Sequence, residues 1–499
     1  MALGFEGMGA LDPSGFQISV VVINPSDGVR IPLWTRGKGG DTLSEVSGTV
    51  SDALSTVDSA LGLMGGSGSG SVDLMGLDLP IVEGVTLELS LGMIAKTAIN
   101  IAAPFDLGLK LLESSLFKVG NLYEVQLGYP KSGRFTPWFV STAQKPSIRI
   151  TGDEGLSGTL NGDGGGMAAI RGQSAKVYEG KSYREIIEEI AETHKWGVVF
   201  KDEASALEMI AAVGLGGEEH PLDKTRATAS QRNLSDWFFI QKMCIDAGCD
   251  AFLAPDKSDE STNILYIKRR KESLSRPPLY KFIMRGNADF STAFPMFDFE
   301  IEPVGVYLPG GAVKTTSSDV DPLSKKRVDV EATAETSDEA ALGEGKVPTS
   351  SEKDVEGKKI QLVAADGNQR TGQFMNISAR DPRGAPDVCQ ATRNILAFRG
   401  GVNANISSYA IPELFPGSIV ELAGVGVFNS NYWVESMTHT ASDTEWTMSL
   451  KLVNNGSASG GLEDFLSKQS EKKNTEEVEE GVEAASGASS IVDSVEGGK

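Results

Sequence analysis

Across 499 residues the chain has only three cysteines, Cys244, Cys249 and Cys389, and three histidines, His194, His220 and His439. So few cysteines build no disulfide framework, and the odd count points to assembly in a reducing cytosol. Cys244 and Cys249 stand as C-x4-C with no second pair, which excludes a CxxC redox site and a zinc site made of cysteine pairs. Both read as small core residues. No histidine lies in HExxH, and no two stand at ligand spacing. His194 falls on or beside the apolar stripe of a helix and reads as a core-edge residue. His439 reads as a hairpin residue at the end of a strand.

Positive charge is also scarce. Lys and Arg total 46 against 68 Asp and Glu, a net charge of −22. Ordinary duplex binding is excluded, because neutralising phosphates dominates that affinity. The N-terminus MALGFEGMGALDPSG has neither a basic region nor an apolar run, so no signal peptide is expected. No window is long enough to span a membrane as a helix, since the longest apolar stretch, 93–116, is broken by Lys96, Asn100, Pro104 and Asp106. The GGSGSG run lacks a following Lys-Ser/Thr, so it is no phosphate loop, and no G-x-S-x-G elbow occurs. Asn161 to Gly166 (NGDGGG) lacks the spaced carboxylates of a calcium loop and reads as a turn. The expectation is no catalytic set, no metal and no cofactor. A chain of this size without a site constellation reads as a structural component.

What the sequence does have is glycine (57 residues) and enough hydrophobic content (40%) for real cores, with a length that allows two to four domains. Strands are expected at Gln17–Ile23, Val85–Leu91, Tyr123–Gly128, Trp138–Val140 and Ser147–Thr151, close enough together for a small barrel or sandwich. A Gly/Ser-rich segment near 37–79 reads as an extended insertion or a loose helical loop. From about Thr151 to Lys271 the pattern changes to helix–strand units. In the first, Ser182 and Glu185 form a capping box. Tyr183, Ile186, Ile187, Ile190 and Ala191 make one apolar stripe, Gly197 supplies a left-handed cap, and Val198–Phe200 is a strand. In the second, Asn233 or Ser235 caps a helix whose face is Trp237, Ile240, Cys244 and Ala247. Gly248 ends it, Asp250–Leu253 follows as a strand, and Leu265–Ile267 pairs with that strand.

Beyond Pro277 a second β region begins, with a strand at Phe297–Ile301. Residues 315–358 are charged and poor in large apolar side chains, so they read as a long mobile loop. A helix is expected from Pro386 to Gly400, then strands at Ser418–Leu422, Tyr432–Thr440 and Glu445–Val453, with a turn at Ala441–Asp443. In the last strand Trp446, Met448, Leu450 and Leu452 alternate with Thr447, Ser449 and Lys451, one face dry and one wet. The expected layout is mainly β with an α+β insertion. It comprises a first barrel domain over 1–150, an α/β brace over 151–275, a second barrel domain over 276–455 and a flexible acidic tail over 456–499.

The helix–strand units and their flanks resemble the late control protein D family, the baseplate hub proteins of contractile phage tails, related to the hub part of the type VI secretion spike protein. The resemblance covers most of the chain, from about Val85 to Val453. Its stretches are Leu122–Gly152, Ala168–Val198, Gln231–Leu253, Ile264–Arg270 and Pro412–Val453. The most specific is QRNLSDWFFIQKMCIDAGCDAFL, where Gln and Asn-Leu-Ser-Asp precede an aromatic-rich helix and Ala-Gly. The long insertion near 37–79, the acidic loop and the acidic tail depart from the family pattern, and no spike repeat or lysozyme-like segment is present.

The resemblance implies a homotrimeric ring with two tail-tube-type barrels per subunit, so that three chains present a pseudo-sixfold face to the tail tube and hold a central spike. Implied partners are the tail tube protein, the central spike protein, other baseplate proteins and a tape measure protein, with genome DNA passing through the lumen and no membrane insertion. The implied location is the virion tail baseplate, assembled in the host cytoplasm. The acidic balance fits a wall that repels DNA, and fits equally a simple gain in solubility. A hub of a tail-like injection particle is the near alternative. A cell-wall hydrolase using Glu185, Glu188 or Glu189 is a second, against which stands their place on the wet face of a capped helix. An adhesin is a third, against which stands the missing signal peptide.

Overall fold

Alternation of apolar and polar side chains carries most of the architecture. The structure, a computed structural model, describes residues 10–35, 81–200, 220–303, 314–320, 327–332, 342, 374–377 and 402–454, apart from 14, 27–29, 114, 154, 227, 256–262, 275, 285 and 443. The first part runs β1 (Gln17–Ile23), β2 (Arg30–Thr35), β3 (Ile81–Ser90), β4 (Lys96–Ala103), α1 (Phe105–Glu113), β5 (Leu122–Tyr129), β6 (Arg134–Phe135), β7 (Phe139–Ala143), β8 (Ser147–Thr151) and β9 (Gly155–Gly164). In β1 the inward residues are Ile18, Val20 and Val22, and in β4 they are Thr97, Ile99, Ile101 and Ala103, the two-residue period of a half-buried strand.

These strands close into a ring. The order is β2-β1-β5-β7-β9-β4-β3, and β3 returns to β2 through the pairs Trp34–Ile81 and Thr35–Val82. Closure removes the open sheet edges on which other chains would pair.

The α/β part follows, with α2 (Met167–Arg171), β10 (Ser174–Glu179), α3 (Tyr183–Thr193), β11 (Gly197–Phe200), β12 (Thr228–Leu234), α4 (Asp236–Asp246), β13 (Cys249–Pro255), β14 (Asn263–Arg269) and α5 (Arg270–Leu274). Ile186, Ile187, Ile190 and Ala191 from α3 and Trp237, Phe239, Ile240, Met243 and Cys244 from α4 fill its own core. Beneath them lies the sheet β11-β14-β13. As expected, β14 pairs with β13 around Phe252–Tyr266 and Leu253–Leu265.

The remainder is β15 (Tyr280–Ile283), β16 (Ala293–Pro303), β17 (Lys314–Val320), β18 (Arg327–Ala332), β19 (Phe374–Ile377), β20 (Val402–Tyr409), β21 (Ile419–Ala423), β22 (Ser430–Ser442) and β23 (Trp446–Asn454). Here too the strands close: β22-β21-β15-β16-β20-β23, with β23 pairing back to β22. The chain is therefore mainly β, with two closed barrels and an α/β insertion between them.

Several expectations need correction. Gly197 is not the cap of α3: Lys195 takes the left-handed conformation (φ 57°) and Gly197 opens β11. Of the two candidate caps for α4, Ser235 is the one used, its Oγ accepting from the Phe238 amide at 3.3 Å. Asn161–Gly164 is strand rather than turn, because its small residues admit neighbours: a Cβ on Gly162 would lie 2.3 Å from Ser141 Oγ. β8 and β9, which straddle residue 151, belong to the first barrel's sheet. Part of the stretch read as a loop, 314–320 and 327–332, pairs as antiparallel strands, and β19 joins them. The Ala441–Asp443 turn sits later, since β22 runs to Ser442 and its amide donates to the Glu445 carbonyl at 2.8 Å. The 37–79 insertion, the 386–400 helix with Cys389, and the acidic tail lie outside the described residues.

Candidate functional site

Among the described residues the two barrels meet along two lines of contact. β3 and β22 each serve their own ring and also pair with one another, from Ser90–Ser436 to Gly84–Ser442. Both are long (10 and 13 residues), and β22 shifts register between Val434 and Ser436. A bulge of this kind bends a strand and lets it serve two partners.

A second line of contact runs between β5–β6 and the other barrel. Tyr129, at the end of β5, stacks on Trp446 with ring centroids 4.8 Å apart, and its hydroxyl donates to the Ala410 carbonyl at 3.0 Å. Burial pushes the Tyr129 phenol up, out of its ordinary range. Arg134 on β6 has a side chain only 2% exposed. Its Nε and Nη2 donate to Glu413 Oε1 and Oε2 at 2.9 and 2.8 Å, a bidentate fork. Nη2 also lies 3.4 Å from the Tyr280 hydroxyl. Burial pulls the guanidinium pKa down, but the hydrogen bond and charge of Glu413 outweigh that and leave it raised. Tyr280 is pushed up to about 12 by burial, then by the Glu413 charge. Breaking such a pair strands a buried charge, which costs about 3–5 kcal/mol.

The α/β unit is tied to both barrels. Trp237 Nε1 donates to the Gly92 carbonyl at 3.2 Å, and the Gly92 amide donates to the Ala251 carbonyl at 3.1 Å. Ile94, just before β4, packs in the α/β core. On the other side, the Arg270 guanidinium is ion-paired with Asp250 and lies 5.5 Å from the Trp433 ring of β22. Leu274 packs with Trp433, Ile419 and Val453.

The residues singled out in the sequence fall elsewhere. Glu185 completes the capping box of α3, its Oε2 accepting from the Ser182 amide at 2.7 Å, and that bond holds its carboxyl below the ordinary range. Glu189 pairs with Lys176 and, at 2.6 Å, with Lys181, which also lowers its carboxyl. Glu188 is exposed on the same helix. His194 caps the end of α3, stacks on Trp196 and sits 2.8 Å from Asp236 at the start of α4, so it links the two helices. His220 Nδ1 accepts from the Leu222 amide at 3.1 Å.

His439 is a hairpin residue, paired with Met448 across β22 and β23, but it stands short of the strand's end at Ser442. It lies within β22, 1% exposed, and its Nδ1 has no protein partner. Burial lowers its pKa from 6.5 to about 4. Cys244 and Cys249 are buried, and burial pushes the Cys244 thiol up, so it reads as packing rather than nucleophile. Among the described residues no group of three His, Cys, Asp or Glu could hold a metal ion, and no helix is long and apolar enough to cross a membrane.

Reading the sequence missed Arg134, Glu413, Tyr129 and Tyr280. One signal was present: Arg134 is a lone charge amid Gly, Phe, Thr and Pro (SGRFTPW), yet its partner is 279 residues away.

No family model matches the chain, and no curated protein matches it. Among solved structures, a tail protein from Neisseria meningitidis MC58 is similar at a TM-score of 0.49 and 10% identity, over 88% of this chain and 96% of that one. The 43 kDa tail protein of prophage MuSo2 from Shewanella oneidensis is similar at 0.48 and 9% identity, over 75% and 94%. An E. coli component of the type VI secretion system is similar at 0.44 and 9%, over 77% of both chains. These structural neighbours are thus a tail protein, a prophage tail protein and a component of type VI secretion.

Proposed function

We propose that the chain is the structural baseplate hub of a contractile phage tail. Three copies close into a ring that adapts a sixfold tail tube to a threefold central spike and lines the DNA channel. The observation that supports this reading most is the fusion of two closed barrels into one body. A shared ladder (β3 with β22) and a buried ion pair (Arg134 with Glu413) keep them from moving apart. A rigid pair per chain gives six barrels in three chains, which is what a threefold object needs to meet a sixfold one.

In this reading the tube and spike proteins are the direct partners, other baseplate proteins and a tape measure protein are neighbours, and DNA passes only transiently. The chain has no reaction to catalyse, in keeping with Glu185 and Glu189 being engaged in a cap and in ion pairs. The same barrel pair suits the hub of a tail-like injection particle, and the neighbouring genes, capsid or secreted effector, separate the two. Native mass measurement of the full chain is expected to give a trimer. A stable monomer at assembly concentrations contradicts the reading. So does peptidoglycan cleavage that is lost on Glu188→Gln.

A further inference from the structure

α1 carries an apolar stripe that the described residues leave uncovered. Phe105, Leu109 and Leu112 are 39%, 42% and 43% exposed, and their i, i+4, i+7 spacing sets them on one face. The helix is held from another side. Leu111 is buried, and a Cβ on Gly108 would lie 2.6 Å from the Leu156 Cβ of β9 and 3.3 Å from the Ile150 Cδ1 of β8. Rolling α1 to hide the stripe would lose that contact. Val119, just beyond the helix, is also exposed. Large apolar side chains grouped in this way are a patch, unlike single exposed residues scattered over a surface.

Cations flank the patch. Lys118, Lys145 and Arg149 are exposed, the last on β8. The Gly120 amide donates to the Ala143 carbonyl at 3.0 Å, which sets the turn holding Lys118 beside the segment leading to Lys145. Arg171 is exposed too, and its Nη2 donates to Gln144 Oε1 at 2.6 Å, so a fourth cation joins them. Asp153, in the β8–β9 turn, is an exposed carboxylate on the same side. In a chain of net charge −22, four cations gathered on one side of a barrel single that side out.

The second barrel carries the complement. β16 lies three strands from β22 either way round its ring, on the side away from the seam. There Phe297 is 47% exposed and packs edge-on against Tyr409, with ring centroids 4.6 Å apart, and Asp298 and Glu300 are exposed beside it. The α1 patch is off the seam as well, since β4 separates β9 from β3. An apolar centre beside cations and an apolar centre beside carboxylates are matched in charge, which steers encounter and fixes register. In a closed ring of three chains, each barrel has one neighbour in its own chain, across the seam, and one in the next chain. The contact between chains is then head-to-tail, joining a different surface from each barrel.

We propose that the α1 stripe of one chain seats on the β16 face of a second copy, with Phe105, Leu109 and Leu112 against Phe297, and Lys145 and Arg149 toward Asp298 and Glu300. The proposal rests on the hub reading and names the surfaces through which its copies join. The experiment uses the full chain in a Cys389→Ser background, with Cys244 and Cys249 buried. Phe297→Cys is combined in turn with Phe105→Cys, Leu109→Cys and Leu112→Cys. Phe297→Cys with Val177→Cys, exposed on β10, is the control. Native mass measurement of the unchanged chain fixes its oligomeric state first.

The unchanged chain is expected to be a trimer. On mild oxidation, at least one α1 pair should form a disulfide between chains, at least tenfold faster than the control. A trimer in which the α1 pairs link no faster than the control overturns the proposal and leaves the hub reading standing. Links confined to single chains do the same. A monomeric unchanged chain overturns both.

Discussion

The barrel seam and the α/β unit sit side by side but are held by different physics. The seam depends on partners far apart in the chain: Arg134 with Glu413, Tyr129 with Ala410 and β3 with β22. It buries a charge pair, so each partner depends on the other. The α/β unit depends on local devices, the caps Ser182 and Ser235 and two amphipathic helices, with an apolar core whose members substitute for one another more gracefully. A seam of the first kind fixes one geometry between two bodies, whereas a unit of the second kind is held by contacts close together in the chain.

The largest expected effect is at the seam. Glu413→Ala should destabilise the chain by about 3–5 kcal/mol in denaturant unfolding, because Arg134 is left buried and unpaired. The double change Arg134→Met with Glu413→Leu should recover most of that loss. Equal losses in the single and double variants would mean that the pair's charge is not what matters.

In the α/β unit, Trp237→Ala and Ile190→Ala should each cost about 2–5 kcal/mol, since both are buried in one core. If the unit is a brace rather than part of the seam, hydrogen exchange should rise in α3 and α4 before it rises in β3 and β22. Simultaneous loosening everywhere would erase the distinction drawn above.

His439 offers a pH probe specific to the barrel junction. Its pKa is 6.5 when unfolded and about 4 in the fold, because burial disfavours the charged ring. The fold therefore favours the neutral form. This contribution is complete above pH 6.5 and is lost as pH falls from 6.5 toward 4, by about 3 kcal/mol in all. His439→Leu should flatten that part of the stability–pH curve, and an unchanged slope would contradict the assignment. The smallest effect is at the caps, where Ser182→Ala or Ser235→Ala should cost about 1 kcal/mol.

These contrasts explain what could be read from the sequence. Ser182, Glu185 and the stripe Ile186–Ala191 were legible because every partner lies within a few residues. Strands β1 and β8 were legible to the residue, and β23 to within one, because alternation is local too. The Trp34–Ile81 closure of the first ring and the Ser90–Ser436 ladder between the barrels were not legible, since they depend on pairings that no window contains. The hairpin position of His439 was legible but its burial was not, because burial at a junction of two barrels leaves no mark on its neighbours in sequence. The weak hydrophobicity of 315–332 concealed two strands that pair with one another.

The central claim is that two fused barrels make each chain one third of a six-barrel ring. A low-resolution particle image of the purified full-length chain tests it directly. The account predicts a threefold ring with six barrel densities around a central channel. A monomeric particle, or a ring with any other number of barrels, would contradict it.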